Sequence, residues 1–176
     1  MSSSLRSYRH WVWILACLGL AIDLTSKYVV FAWLELGQHF SIIPNWFHFT
    51  HNHLNQGALF GFGKDHGLLS NYIFAGFSFL AVVFIFFWTK REQVRTDLWM
   101  VLALGLICGG ALGNLYDRLV FQGVRDFLWF HHESERFGKL DFAVFNFADC
   151  CLVVGACLLL LHSFIVKEAE PVQQPA

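Results

Sequence analysis

Four stretches of the chain are apolar almost without interruption: Trp11 to Leu34, Leu68 to Trp88, Leu98 to Leu115 and Val144 to Val166. A bilayer core of about 30 Å takes roughly 20 helical residues to cross. The pattern therefore predicts a membrane all-α fold of four transmembrane helices. Between the first two runs the period changes, because Trp46-Phe47-His48-Phe49-Thr50-His51-Asn52 alternates apolar and polar side chains. A period of two predicts a strand with one greasy face, able to lie flat on the membrane. Pro44 and Asn45 supply a turn before it, and Gly57, Gly61, Gly63 and Gly67 make the following segment one of close backbone approach. In the later loop, His131-His132-Glu133-Ser134-Glu135-Arg136 reads as a solvated polar insertion. Residues 1–167 are expected to form a single membrane-embedded domain. A tail, 168–176, with Pro171, Gln173, Gln174 and Pro175, is expected to be disordered.

Composition agrees with that layout. Of 176 residues, 56% are hydrophobic and 14% charged, with a mean hydropathy of +0.51, outside the range of ordinary soluble domains. The formal net charge of -1, with no long basic or acidic block, gives no support for nucleic-acid binding. Membrane lipid is the partner that composition implies. All five cysteines (Cys17, Cys108, Cys150, Cys151 and Cys157) fall within apolar runs, which argues against a disulfide framework. Ile14-Leu15-Ala16-Cys17 faintly resembles a lipoprotein cleavage box, but too few apolar residues precede it for a signal peptide. The first span is expected to stay in the mature protein.

Positive charge orients the spans. Arg6 and Arg9 precede the first, Lys90, Arg91 and Arg95 lie between the second and third, and Lys167 follows the fourth. These segments, and with them both termini, are expected on the cytoplasmic side. The loop from Glu35 to Gly67 carries one lysine, Lys64, and no arginine. The loop from Tyr116 to Ala143 fits less well, with Arg118, Arg125, Arg136 and Lys139 beside its acids.

With that orientation the costly side chains collect at one depth. Asp23 lies twelve residues beyond Trp11, about 18 Å along the helix and past the midplane. Lys27 follows one turn later on the same face, where the two can pair. The third span ends at Asn114, Asp117 and Arg118, and the fourth opens with Asn146 and Asp149. Asp126 lies in the loop between them, while the second span carries no Asp, Glu, Lys, Arg or His. A charge inside a membrane costs from about 3 to well over 10 kcal/mol, so each such residue is a functional candidate. Structural readings stand beside the functional ones. Asp23 and Lys27 can be a neutralising pair, Asp117 and Arg118 an interface anchor with a snorkelling arginine, and Asn146 a cap or a link between helices. Asp149 has no lysine or arginine within its own span, so its obvious partners are Asp126 or a cation from elsewhere. Two carboxylates within roughly 3 Å share one proton, the arrangement of an aspartic protease.

Asp23-Leu24-Thr25-Ser26-Lys27, Asn55-Gln56-Gly57-Ala58, Gly109 through Arg118, Gly123-Val124-Arg125-Asp126-Phe127 and Phe145-Asn146-Phe147-Ala148-Asp149 together resemble the lipoprotein signal peptidases, the type II signal peptidases of bacterial inner membranes. The resemblance covers nearly the whole chain. It implies a four-helix membrane aspartyl endopeptidase with an outer-face β-cradle and a small β part, active near the outer leaflet. It implies a catalytic dyad at Asp126 and Asp149, with Asn55, Gly57, Asn114, Arg118 and Asn146 shaping the pocket or supporting the acids. Asp23, Lys27, Gly110, Asp117 and Ala148 are further supporting positions. No cofactor and no metal are implied. The implied partners are diacylglyceryl-modified prolipoproteins, cut just before the lipidated cysteine, and a globomycin-type inhibitor. Leu59 stands where the family usually has a small residue, Cys150 where a serine is common, and the insertion from His131 to Lys139 lengthens the dyad spacing.

Other chemistries have weaker support. A thiol redox protein would use Cys150 and Cys151, but no Cys-x-x-Cys occurs and a vicinal disulfide is strained. His48, His51 and His53, or His131, His132 and Glu133, match no familiar zinc spacing. A non-catalytic lipid-binding protein would bind substrate and never cut it.

Overall fold

Four helices of the computed structural model, α1 (Arg9–Trp33), α2 (Leu68–Trp88), α4 (Leu98–Val120) and α5 (Phe147–Ile165), are long and apolar enough to cross a membrane. A one-turn helix, α3 (Glu92–Thr96), occupies the link between α2 and α4. The structure describes residues 7–57, 67–134 and 138–165, without the side chains of Gln93, Arg95 and Ser134. Expectations for Arg6, Ala58, Leu59, Gly61, Gly63, Lys64, Glu135, Arg136, Lys167 and the tail from residue 168 lie outside the described residues.

Two spans depart from their apolar runs for local reasons. α4 continues to Val120, five residues past the run that stops at Leu115. Asp117 and Arg118 are buried in protein and paired there, so lipid does not end the helix. α5 begins at Phe147 instead of Val144, because Phe145 is taken into a β-bridge with Leu128 and Asn146 caps the helix.

α4 is the central helix. More than half of its spanning window, 56%, is buried in protein, against 28%, 22% and 17% for α1, α2 and α5. Helices in lipid gain little from hydrophobicity and associate through close packing, which small residues allow. A Cβ added to Gly105 would lie 2.7 Å from Leu15 Cβ, and one on Gly109 3.0 Å from the Ala16 carbonyl. Gly155 of α5 approaches Ala103 equally closely. At the α1–α2–α4 end away from the sheet, Val12, Ala16, Ile85, Val101, Leu104 and Cys108 close an apolar core.

The opposite end carries a four-stranded antiparallel sheet in the order β1 (His39–Ile43), β2 (Phe47–Thr50), β3 (Leu128–Ser134), β4 (Gly138–Asp141). The alternating segment forms β2, with a four-residue turn before it. Trp46 N–H donates to Ile43 O at 3.0 Å, Pro44 takes the second position, and Asn45 has φ 63° in the third. That is a type II turn, for which proline and asparagine suit those positions. Phe47 stacks on Phe130 and Phe130 on Phe145, giving the sheet its greasy face. The polar insertion is not simply solvated: His131 to Ser134 complete β3 and pair with β4, leaving His131 and His132 half-buried. Cross-strand pairing, unreadable from its irregular polarity, recruits it.

Candidate active site

Asp126 is placed by two isolated β-bridges. Asn55 and Val124 exchange both backbone hydrogen bonds, at 2.9 and 2.8 Å, and Leu128 and Phe145 do the same at 2.8 and 3.0 Å. Asp126 lies midway between Val124 and Leu128, and Thr50 N–H holds Phe127 O at 2.9 Å. The loop after α4 is thus clamped on both sides of the acid, and Asp126 is buried.

Asp149 is placed by a capping box. The side-chain oxygen of Asn146 accepts the Asp149 N–H at 3.1 Å, and the Asp149 carboxylate accepts the Asn146 N–H at 3.1 Å. Two orphan donors of the helix start are satisfied reciprocally, as in the Ser-x-x-Glu box, here with an Asn-x-x-Asp sequence. The other Asp149 oxygen accepts Asn114 Nδ2 at 2.8 Å. The next orphan donor, Ala148 N–H, goes to Asp23 Oδ1 at 2.9 Å, which ties α5 to α1.

Amides connect the two acids. Asn146 Nδ2 donates to Asp126 Oδ1 at 2.7 Å and to Asn114 Oδ1 at 3.1 Å, while Asn55 Nδ2 donates to Asp126 Oδ2 at 2.9 Å. Burial, and next the neighbouring charge of Asp149, push the Asp126 carboxyl up to about 7, against the hydrogen bonds from Asn55 and Asn146. Asn146 is therefore both cap and bridge, and Asp149 is partnered by amides in place of a cation.

Behind the amides lies a closed set of charges. The Lys27 ammonium meets Asp23 Oδ2 at 2.7 Å, Asn114 Oδ1 at 3.2 Å and Asp117 Oδ2 at 3.2 Å, using its three donors. Arg125 forks onto Asp117 through Nη2 at 2.7 Å and Nε at 3.2 Å, and its backbone N–H adds a bond at 3.0 Å. Asp23, Lys27 and Asp117 are fully buried, and Arg125 nearly so. Two acids and two bases cancel, which is how charges survive out of water. The pairing of Asp23 with Lys27 is thus part of a larger network. Gly113 leaves the space that the Asp23 carboxylate fills, and Gly110 lies against the Ala148 carbonyl.

Arg118 corrects the sequence reading. It does not snorkel but is buried, with Nη2 on Gly57 O at 3.0 Å and Nη1 on Asn114 O at 3.4 Å. Gly57 N–H in turn binds Asn55 Oδ1 at 2.9 Å. The alternative histidine set does not converge. His51 Nδ1 binds Leu34 O at 2.7 Å, His53 is exposed, and His48 is buried against the rings of His39 and Trp129. Burial, then His39 and His131, push the His48 imidazole down. Cys150 and Cys151 are free thiols.

Two residues escaped the sequence reading. Arg125 could have been found from charge balance, because buried Asp117 needs a second cation once Lys27 is shared. Asn71 of α2 is fully buried and donates to Arg118 O at 3.0 Å; its signal was a lone carboxamide in an apolar span.

Asp149 borders three spaces, and Asp126 borders the smallest of them. Asn55, Asn114, Arg118, Val124, Asp126, Val144 and Asp149 line a crevice of about 10 Å³, room for about one water molecule. An apolar groove of about 540 Å³, between Trp46, Phe130, Leu140, Phe142, Phe145 and the α5 residues Cys150, Val153 and Val154, has Asp149 on its wall. A second, of about 280 Å³, lies between Phe74, Phe77 and Ser78 of α2 and Leu152 and Val153 of α5, with Asn114, Arg118 and Asp149 also on its wall.

Over residues 15–165 the sequence matches signal peptidase (SPase) II. The chain belongs to that family. The lipoprotein signal peptidase of Coxiella burnetii is 37% identical over 168 residues, covering 94% of this chain and 98% of its own. That of Pseudomonas fluorescens is 38% identical over 155 residues, 88% of each chain. Two bacterial membrane enzyme structures obtained by the in meso method share the fold. One has a TM-score of 0.76 at 24% identity, covering 97% of this chain and 98% of its own. The other has a TM-score of 0.74 at 25% identity, covering 92% and 97%. The chain is accordingly a multi-pass membrane protease of the signal peptidase II type.

Proposed function

We propose that the chain is an aspartic endopeptidase that removes signal peptides from diacylglyceryl-modified prolipoproteins, cutting just before the lipidated cysteine. The observation that carries this reading is the joining of Asp126 and Asp149 through Asn146 and Asn114 beside a water-sized crevice, with Asp149 also on the walls of two apolar grooves. In this mechanism the pair holds one proton. The ionised carboxylate takes a proton from a water as its oxygen attacks the scissile carbonyl. The protonated carboxyl donates to the carbonyl oxygen, giving a tetrahedral diol. Collapse of the diol breaks the C–N bond, and the cysteine nitrogen leaves with a proton from the pair. The signal peptide then ends in a carboxylate, and the lipoprotein begins with an amine. The grooves receive the acyl chains and the signal segment, so the lipid anchor sets the depth of the scissile bond and confines enzyme and substrate to one layer.

The distribution of Lys and Arg supports an inner-membrane placement with both termini cytoplasmic and the dyad near the outer leaflet. A globomycin-type inhibitor would compete for the same site. The decisive experiment compares cleavage of a diacylglyceryl prolipoprotein by wild type, Asp126→Asn and Asp149→Asn, each purified. Each substitution should slow turnover by about 1,000-fold or more. Near-normal turnover by either variant would refute the dyad.

A further inference from the structure

α2 carries no charged side chain and a single carboxamide, Asn71, and that residue begins an unbroken path to the site. Arg118 lies in the last turn of α4, where backbone carbonyls have no intrahelical donor. Asn71 Nδ2 supplies one at 3.0 Å. The Arg118 guanidinium holds Gly57 O at 3.0 Å, Gly57 N–H holds Asn55 Oδ1 at 2.9 Å, and Asn55 Nδ2 holds Asp126 at 2.9 Å. Four consecutive hydrogen bonds thus run from the second helix to the acid.

With the site read as a peptidase dyad, on which the inference rests, we propose that Asn71 is a positioning residue for Asp126, which couples the seating of the substrate against α2 to the placement of the acid. Asn71 shares a helix face with Phe74 and Ser78, three and seven residues on, and both line the groove that reaches Asp149. A segment pressed into that groove therefore bears on the face that carries Asn71. The junction has unused capacity: among the described residues Asn71 Oδ1 and Arg118 Nε are buried without a hydrogen-bond partner. It can shift without breaking a complete set of bonds. A cross-helix amide bond in an apolar medium is directional where apolar contacts are not, and this one joins α2 to α4. The charged groups around Asp126 come from the other elements: Asp149 of α5, Lys27 of α1 and Arg118 of α4. Asn71 acts on Asp126 only through the chain of bonds.

The test compares wild type with Asn71→Leu, which keeps the branched shape and heavy-atom count and removes both polar atoms, on a diacylglyceryl prolipoprotein from about pH 5 to about pH 9. Loosening of the Asn55 bond weakens support for ionised Asp126. The alkaline limb of the rate profile should then move up by about 0.5 to 1 pH unit. Turnover should fall about 10-fold with KM changed less than about twofold. Asn71→Leu combined with Asn55→Ala should be no slower than Asn55→Ala alone, within about twofold, because both act on one path. An unmoved pH profile, a change in KM alone, or additive losses would overturn the proposal. Should Asn71→Leu not fold, Asn71→Ser is held to the same criteria. Wild type that fails to cleave this substrate sinks the peptidase reading and this proposal with it, whereas active wild type beside an unaltered variant sinks only the role of Asn71.

Discussion

Replacing Lys27 by methionine removes a charge without removing volume, and the acids around it then lose a shared partner. Lys27 is fully buried between Asp23 and Asp117, at 2.7 and 3.2 Å, and also binds Asn114. Asp117 would keep Arg125, but among the described residues the Asp23 carboxylate would keep only the Ala148 N–H. Breaking one partner out of a buried ion pair costs about 3 to 5 kcal/mol, because the remaining charge is neither paired nor hydrated. The lower half of that range is expected, about 3 to 4 kcal/mol, since Asp23 retains one backbone donor. Adding Asp23→Asn removes the stranded charge, so the double variant should recover at least about half of the loss. Unfolding in detergent, followed by tryptophan fluorescence, measures all three proteins. A double variant that is less stable than Lys27→Met would refute the charge-cancelling account. Activity gives a second reading, because Lys27 favours the ionised form of Asp126. Its loss should shift the alkaline limb of the rate profile upward.

Asp126 makes stability depend on pH. Its carboxyl is raised from 3.8 to about 7 in the fold, so the native state keeps a proton that the unfolded chain releases. Stability from this group is fully present below the ordinary value and is lost as pH rises through about 7. Asp126→Asn escapes that loss, so its stability relative to wild type should rise between about pH 4 and pH 7, with about 4 kcal/mol as the ceiling; a pH-independent difference in detergent unfolding would contradict the assignment. Gly113→Ala would drive a methyl into the Asp23 carboxylate and should cost about 1 to 3 kcal/mol along with activity. Gly76→Ala, with nothing within 4 Å, should be neutral or stabilising by up to about 1 kcal/mol in the same unfolding assay.

Local chemistry made much of this protein legible in advance. An apolar run of about 20 residues has few alternatives to a spanning helix, since lipid offers its backbone no partners, and the four spans follow. The cost of charge in that medium marks Asp23, Lys27, Asp117, Arg118 and Asp149 without reference to neighbours, and the period of two marks β2. Other features are set by residues distant in the chain. Arg118 looked free to snorkel because its partner, Gly57, is 61 residues away. Residues 131 to 134 looked solvated because their strand partners lie in β4, across a hairpin of irregular polarity. Asn71 escaped notice because only packing brings it to the orphan carbonyl of Arg118. The roles of Asn146 and Asn114 as bridges depend on two acids approaching from different segments. The sequence by itself determined which groups could not stay in lipid alone. Only the tertiary structure decided which group satisfies which, because hydrogen bonds and ion pairs require atoms within about 3 Å, and no spacing along the chain specifies that distance across helices.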